Sequence, residues 1–177
     1  MEYQSIVLGG GCFWCLDAAY RRVKGVEQVT SGYAGGHWPN PTYERVVTGT
    51  TGHAEVVKVD FDPKTISLTT ILEIFWTLHD PTTLNRQGND VGAQYRSIIL
   101  FDSAEQQAEI NKSINETAIP LWGENITTEV VPLEKFYPAE EYHQDYFNKH
   151  PEQGYCQIII NPKLAKLTKK FAQLLKN

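Results

Sequence analysis

The order of apolar and polar positions divides the chain into short, regular elements. Residues 4–9, with the run Ser5-Ile6-Val7-Leu8, read as a buried strand. Leu16, Ala19, Tyr20 and Val23 then recur at helical spacing until Gly25 ends the pattern. A strand near 26–33 precedes a Gly/Pro/Asn/Thr-rich loop from about 34 to 52, and a further strand over 54–61 is closed by Asp62-Pro63. Leu68, Ile71, Leu72, Phe75 and Leu78 trace the stripe of an amphipathic helix. A polar loop over 80–93 leads into a strand at about 95–101, then a helix near 103–118, a strand near 127–132 and a Tyr/Glu/His-rich segment at 137–149. A last helix takes Asn161 as N-cap and Pro162 as its first residue, with Leu164, Leu167, Phe171 and Leu174 inward.

The order β-α-β-β-α-β predicts an α/β (α+β) protein with a ferredoxin-like split βαβ core, a two-layer plait with additional C-terminal helices and long loops. At 177 residues and 41% hydrophobic content, residues 1–177 are expected to form a single domain. The net charge of −5 is a poor match to a nucleic-acid backbone. No apolar run is long enough to cross a bilayer, and the start Met1-Glu2-Tyr3-Gln4 lacks the basic region of a signal peptide. The expectation is a cytoplasmic monomer with no nucleic acid or membrane partner. Three cysteines, an odd number, fit reactive thiols better than a disulfide framework.

The candidate chemistry concentrates at Gly9-Gly10-Gly11-Cys12-Phe13-Trp14-Cys15. The glycines make a tight strand-to-helix turn, and Cys12 stands where the helix begins. Free N–H groups and the positive end of a helix favour a thiolate, so a lowered Cys12 pKa is expected. A dinucleotide fingerprint fails because Trp14 stands where its third glycine is needed, and no Gly-Lys-Ser/Thr marks a P-loop. Three readings of this C-x-x-C are open: a thioredoxin-like dithiol, a zinc site lacking an evident second ligand pair, or a lone nucleophile at Cys12 with Cys15 facing the core or assisting.

Glu55 shares a strand face with Val57, Val59 and Phe61, where desolvation raises a carboxyl pKa and suits a general acid. A strand-end carboxylate that reaches solvent or a lysine fits the same pattern. Tyr95 opens a strand on the face of Ile99 and Phe101, with its hydroxyl at a pocket rim. Cys156 follows a polar, proline-bearing stretch; it reads either as a second redox thiol on a mobile tail or as a buried cysteine on the apolar run 156–160. Five histidines, none at metal-ligand spacing to another, leave open a thiol hydrolase or transferase pairing Cys12 with a histidine. A non-enzymatic binding module with aromatic loops is a third class.

Several motifs in fixed order decide among these. They are Gly11-Cys12-Phe13-Trp14, Gly32-Tyr33-Ala34-Gly35-Gly36, Pro41-Thr42-Tyr43, Gly52-His53-Ala54-Glu55, His79-Asp80-Pro81-Thr82, Asn85-Arg86-Gln87-Gly88-Asn89-Asp90, Gly92-Ala93-Gln94-Tyr95-Arg96-Ser97, Tyr142-His143-Gln144 and Gly154-Tyr155-Cys156. Over nearly the whole chain this set resembles the peptide methionine sulfoxide reductase A family. The resemblance implies thiol-dependent reduction of methionine S-sulfoxide, free or in proteins, for the repair of oxidised proteins. Cys12 would attack the sulfoxide sulfur, Glu55 would protonate the oxygen, and Tyr43 and Tyr95 would donate to it. Phe13 and Trp14 would hold the S-methyl group, and Asp90 would take the substrate backbone amide. Cys12 sulfenic acid would condense with Cys156, Cys15 being the alternative or a relay member, and thioredoxin would reduce the disulfide. No metal or organic cofactor is implied. Asp17 departs from the family's common Glu, which implies a changed local hydrogen bond.

Overall fold

A computed structural model describes residues 2–176 of the chain; Met1 and Asn177, the two ends of the expected domain, lie outside the described residues. In chain order the elements are β1 (Gln4–Gly9), α1 (Phe13–Tyr20), β2 (Val26–Ala34), α2 (Tyr43–Val46), β3 (Ala54–Phe61), α3 (Leu68–Leu78), β4 (Arg86–Gln87), β5 (Asp90–Val91), β6 (Ile98–Phe101), α4 (Ala104–Ser113), α5 (Ile119–Trp122), β7 (Glu129–Pro132), β8 (Phe136–Pro138), α6 (Tyr146–Lys149) and α7 (Asn161–Phe171). Six strands form one mixed sheet in the order β7-β6-β1-β3-β2-β8. Each neighbouring pair is antiparallel except β6 and β7, which run parallel. Among the described residues no helix is long and apolar enough to cross a membrane.

The strand alternation sorts side chains onto two faces. Ile6, Leu8, Val57, Val59 and Phe61 join residues of α1, α3 and α7 in the main core. Val7, Val56, Ile98 and Leu100 face the other way, where Val131, Leu133 and Phe136 cover them. On α3 the predicted stripe is buried, and Ser67 caps the helix by accepting from the Thr70 amide at 3.1 Å. Leu8 pairs with Val57 across β1 and β3, so the end of β1 and the start of β3 meet at one edge of the core. That junction carries Cys12 and Glu55.

The structure corrects the sequence reading in several places. Tyr95 does not open a strand: Ala93–Tyr95 is a 3₁₀ turn, and β6 starts at Ile98. Gly92 at φ 140° turns the chain there, and the Gly11 amide takes the Tyr95 carbonyl at 3.1 Å, which diverts it from any ladder. The helix near 103–118 continues through a π turn, Ile114–Ala118, into α5, where Pro120 supplies no N–H. Asn161 is not an N-cap, because the chain arrives already helical from a π turn over Cys156–Ile160. Leu174 falls in a 3₁₀ turn beyond α7, half-buried. Cys156 itself is fully buried at the end of an exposed stretch over 148–154. Not foreseen were the short helices α2 and α6, the edge strand β8 on β2 and the small hairpin β4–β5 inside the polar loop.

Candidate active site

Close approach dictates the glycines before Cys12. A Cβ on Gly10 would lie 2.7 Å from the His79 ring, and one on Gly11 2.8 Å from Gln87 Cγ, with Gly11 at φ +91°. His79 is held by Phe75 O at 2.7 Å and Ser97 Oγ at 2.8 Å and has no room to retreat. Gly10→Ala is therefore expected to cost about 1–3 kcal/mol, read as a lower urea midpoint; an unchanged midpoint would contradict the contact. Gln87, packed on Gly11, holds both Asp80 backbone groups at 2.9 Å and so fixes the hairpin that carries Asp90.

Cys12 occupies the N-cap of α1 in extended conformation and is partly exposed. Its thiol does not follow the expectation of a lowered pKa. Burial raises it well above the ordinary value, the charges of Glu55 and Cys15 add to that, and the bond from the Trp14 amide opposes them without winning. The helix end is present, but desolvation outweighs it.

Glu55 is buried, 1% exposed, with Oε1 accepting from the Phe13 amide at 3.1 Å. Among the described residues its Oε2 has no hydrogen-bond partner. Burial pushes its pKa up to about 8, and Asp90 adds to this, while the Phe13 amide and the Cys12 thiol pull the other way. The solvated or lysine-paired alternative is thereby set aside. The folded state holds this proton more tightly than the ordinary value of 4.5 allows, so Glu55 supports the fold below pH 4.5 and the support is lost as pH rises to about 8. Each pH unit in that interval is worth about 1.4 kcal/mol. The Tm of the wild type should accordingly fall relative to Glu55→Gln across the interval; parallel curves would contradict the burial argument.

Two tyrosines converge on the same place. Tyr95 is fixed through its carbonyl to the Gly11 amide. Tyr43 begins α2, capped by Thr42, and its amide donates to Glu140 Oε2 at 2.9 Å. Burial first, then the nearby Glu55 charge, raise both phenols, Tyr43 to about 12 and Tyr95 beyond, so both remain hydrogen-bond donors. The same Glu140 accepts from Tyr33 Oη at 2.8 Å, and Tyr33 is the β2 partner of Glu55.

The two aromatic residues after Cys12 differ in exposure. Phe13 has no exposed surface and lies between Tyr33 and His143, at 5.7 and 5.0 Å between ring centroids. Trp14 is half-buried, stacked on Tyr146 at 3.7 Å, and donates from Nε1 to His143 Nδ1 at 3.1 Å. Gln144 holds that segment by accepting from the Ser31 amide and donating to the Ser31 carbonyl, both at 2.9 Å. Asp17 adds a second tie: buried on α1, it accepts from the Asp145 amide at 2.8 Å and pairs with Arg21. Glu140 and Tyr146 had no signal beyond the density of Tyr, Glu and His over 137–149, whereas His143 stands in the Tyr142-His143-Gln144 motif.

Asp90 accepts from Tyr155 Oη at 2.7 Å, and that hydroxyl lies 3.9 Å from Cys15 Sγ. All three cysteines are free thiols, and Cys15 and Cys156 are buried. Burial raises the Cys15 thiol, with Lys163 and the Tyr155 hydroxyl pulling it back down; burial and then Cys15 raise Cys156. Among the described residues no group of three or more His, Cys, Asp or Glu is placed to hold a metal ion.

Comparison with known proteins bears on this arrangement. The family model described as peptide methionine sulfoxide reductase matches residues 4–175. The chain is 57% identical over 169 residues to the peptide methionine sulfoxide reductase MsrA of Pseudarthrobacter chlorophenolicus, covering 96% of this chain and 97% of that one. The crystal structure of reduced Mxr1 from Saccharomyces cerevisiae superposes with a TM-score of 0.83 at 39% identity, covering 88% of this chain and 90% of that one. Mxr1 in complex with Trx2 superposes at a TM-score of 0.60 and 30% identity, covering 82% of this chain and 85% of that one.

Proposed function

Since the chain belongs to the peptide methionine sulfoxide reductase family and is an oxidoreductase of that type, we propose that it reduces methionine S-sulfoxide through Cys12 and Glu55. The observation that carries this reading is the Glu55 carboxyl, buried beside Cys12 with one oxygen anchored and the other unpartnered. A carboxyl with a pKa of about 8 is protonated at neutral pH, which a general acid requires.

Glu55 gives its proton to the sulfoxide oxygen, and Tyr43 and Tyr95 donate hydrogen bonds to that oxygen as its charge changes. The sulfur, now electron-poor, is attacked by the Cys12 sulfur, whose proton passes to the vacated Glu55 carboxylate. This order suits a thiol that is not a thiolate at rest. In the adduct so formed the hydroxyl shifts to the Cys12 sulfur as the new sulfur–sulfur bond and the old sulfur–oxygen bond break, which leaves Cys12 as a sulfenic acid and releases methionine. Trp14, backed by Phe13, holds the S-methyl group, so that only one epimer turns its oxygen toward the donors. Asp90 takes the substrate backbone amide.

A second thiol then displaces water from the sulfenic acid to form a disulfide. Cys156 is our preferred resolving residue, Cys15 is the alternative, and a Cys12–Cys15–Cys156 relay is the third arrangement. The yeast complex with Trx2 supports thioredoxin as the reductant that restores the two thiols. The strand order β6-β1-β3-β2, with α1 and α3 as crossovers on one face, supports reading the core as a ferredoxin-like split βαβ plait and the chain as a single catalytic domain. Turnover of the two separated sulfoxide epimers with dithiothreitol tests the reading. Activity is expected on the S epimer, with the R epimer at background; equal rates on both would overturn it.

A further inference from the structure

The contact between Tyr155 and Asp90 has no part in the chemistry above. Residues 148–154 are exposed throughout. The chain then turns inward at Tyr155, whose ring stands edge-on to Trp14 at 5.9 Å and whose hydroxyl bonds Asp90 Oδ2 at 2.7 Å. Gln153 Oε1 accepts from the Tyr155 and Cys156 amides at 2.8 and 3.3 Å, so the two residues form one capped turn. Cys156 in that turn has no exposed surface. One hydrogen bond therefore ties together a carboxylate at the rim of the site and the segment that buries a thiol.

We propose that Tyr155 is a positioning residue that latches the Cys156 turn to Asp90, and that an arriving substrate amide displaces its hydroxyl and frees Cys156 to move. This rests on the reading above, in which Asp90 takes the substrate amide and Cys156 resolves the sulfenic acid. A hydrogen bond to a carboxylate is stronger than one between neutral groups, so the latch is closed at rest. A closed latch lowers apparent affinity by the fraction of molecules that are open, and it keeps the resolving thiol covered until there is a sulfoxide to reduce. Displacement couples the two events without a second signal. Burial, and then the neighbouring Cys15, keep the phenol protonated, which leaves it a donor across the working pH range.

Tyr155→Phe retains the ring against Trp14 and removes only the hydroxyl. With N-acetylmethionine S-sulfoxide and dithiothreitol, KM is expected to fall about three- to tenfold with kcat little changed. Alkylation of Cys156 by iodoacetamide, followed by peptide mass mapping, should speed up by a similar factor. In the unsubstituted protein, N-acetylmethionine should speed that alkylation, and in Tyr155→Phe it should add nothing. A KM that does not fall, or Cys156 labelling that does not rise, overturns the latch. Asp90→Asn separates this from failure of the underlying reading: if its KM is unchanged, Asp90 does not take the amide, whereas a raised KM leaves only the latch at issue.

Discussion

Glu55→Gln is expected to slow the reductase step by about 10²–10⁴-fold in single turnover, with the fold intact. Gln keeps the size of the side chain and can still accept from the Phe13 amide, so the anchored oxygen keeps its bond at 3.1 Å. What is lost is the proton on the unpartnered side of the carboxyl. Without it the sulfoxide oxygen must accept charge supported only by the Tyr43 and Tyr95 hydroxyls. Removal of an ionisable group buried at 1% exposure should not destabilise the protein, so a large rate loss with an undiminished Tm is the diagnostic pair. An unchanged single-turnover rate would remove Glu55 from the role of acid.

The thiol series carries the second large effect. Cys12→Ser should leave no methionine production above background, because an alcohol at that position cannot accept the oxygen as a sulfenic acid. With thioredoxin as sole reductant, Cys156→Ser should release one equivalent of methionine and then stall. Dithiothreitol, which reaches the sulfenic acid directly, should restore turnover. If Cys15→Ser stalls instead, Cys15 resolves; if both stall, the relay holds. Full thioredoxin-dependent turnover in both variants would mean that neither is required, contrary to the preferred assignment.

Much of this site is legible in the sequence, for reasons that are local. Strand parity alone put Glu55 with Val57, Val59 and Phe61 on the core face, and a glycine run between an apolar strand and an apolar helix announced the Cys12 turn. Features set by distant packing were not legible. Tyr95 fits strand alternation, but the Gly11 amide, far away in sequence, claims its carbonyl. Asn161-Pro162 has the composition of a helix start, yet the preceding π turn already delivers helical backbone. The pKa of Cys12 illustrates the limit most clearly. A helix end pulls it down, burial beside Glu55 pushes it up, and only the packed structure decides between them.

The central claim is that a protonated Glu55 beside a protonated Cys12 performs the oxygen transfer. The most direct measurement is the second-order rate of methionine formation in single turnover on the S epimer, followed across pH in the unsubstituted protein and in Glu55→Gln. Such a rate reports the free enzyme's ionisations. It should be level at low pH and fall as pH rises through about 8, where Glu55 loses its proton, while Glu55→Gln should be slow and lack that fall. A rate that instead rises with pH through that range, or the same fall in both proteins, would contradict it.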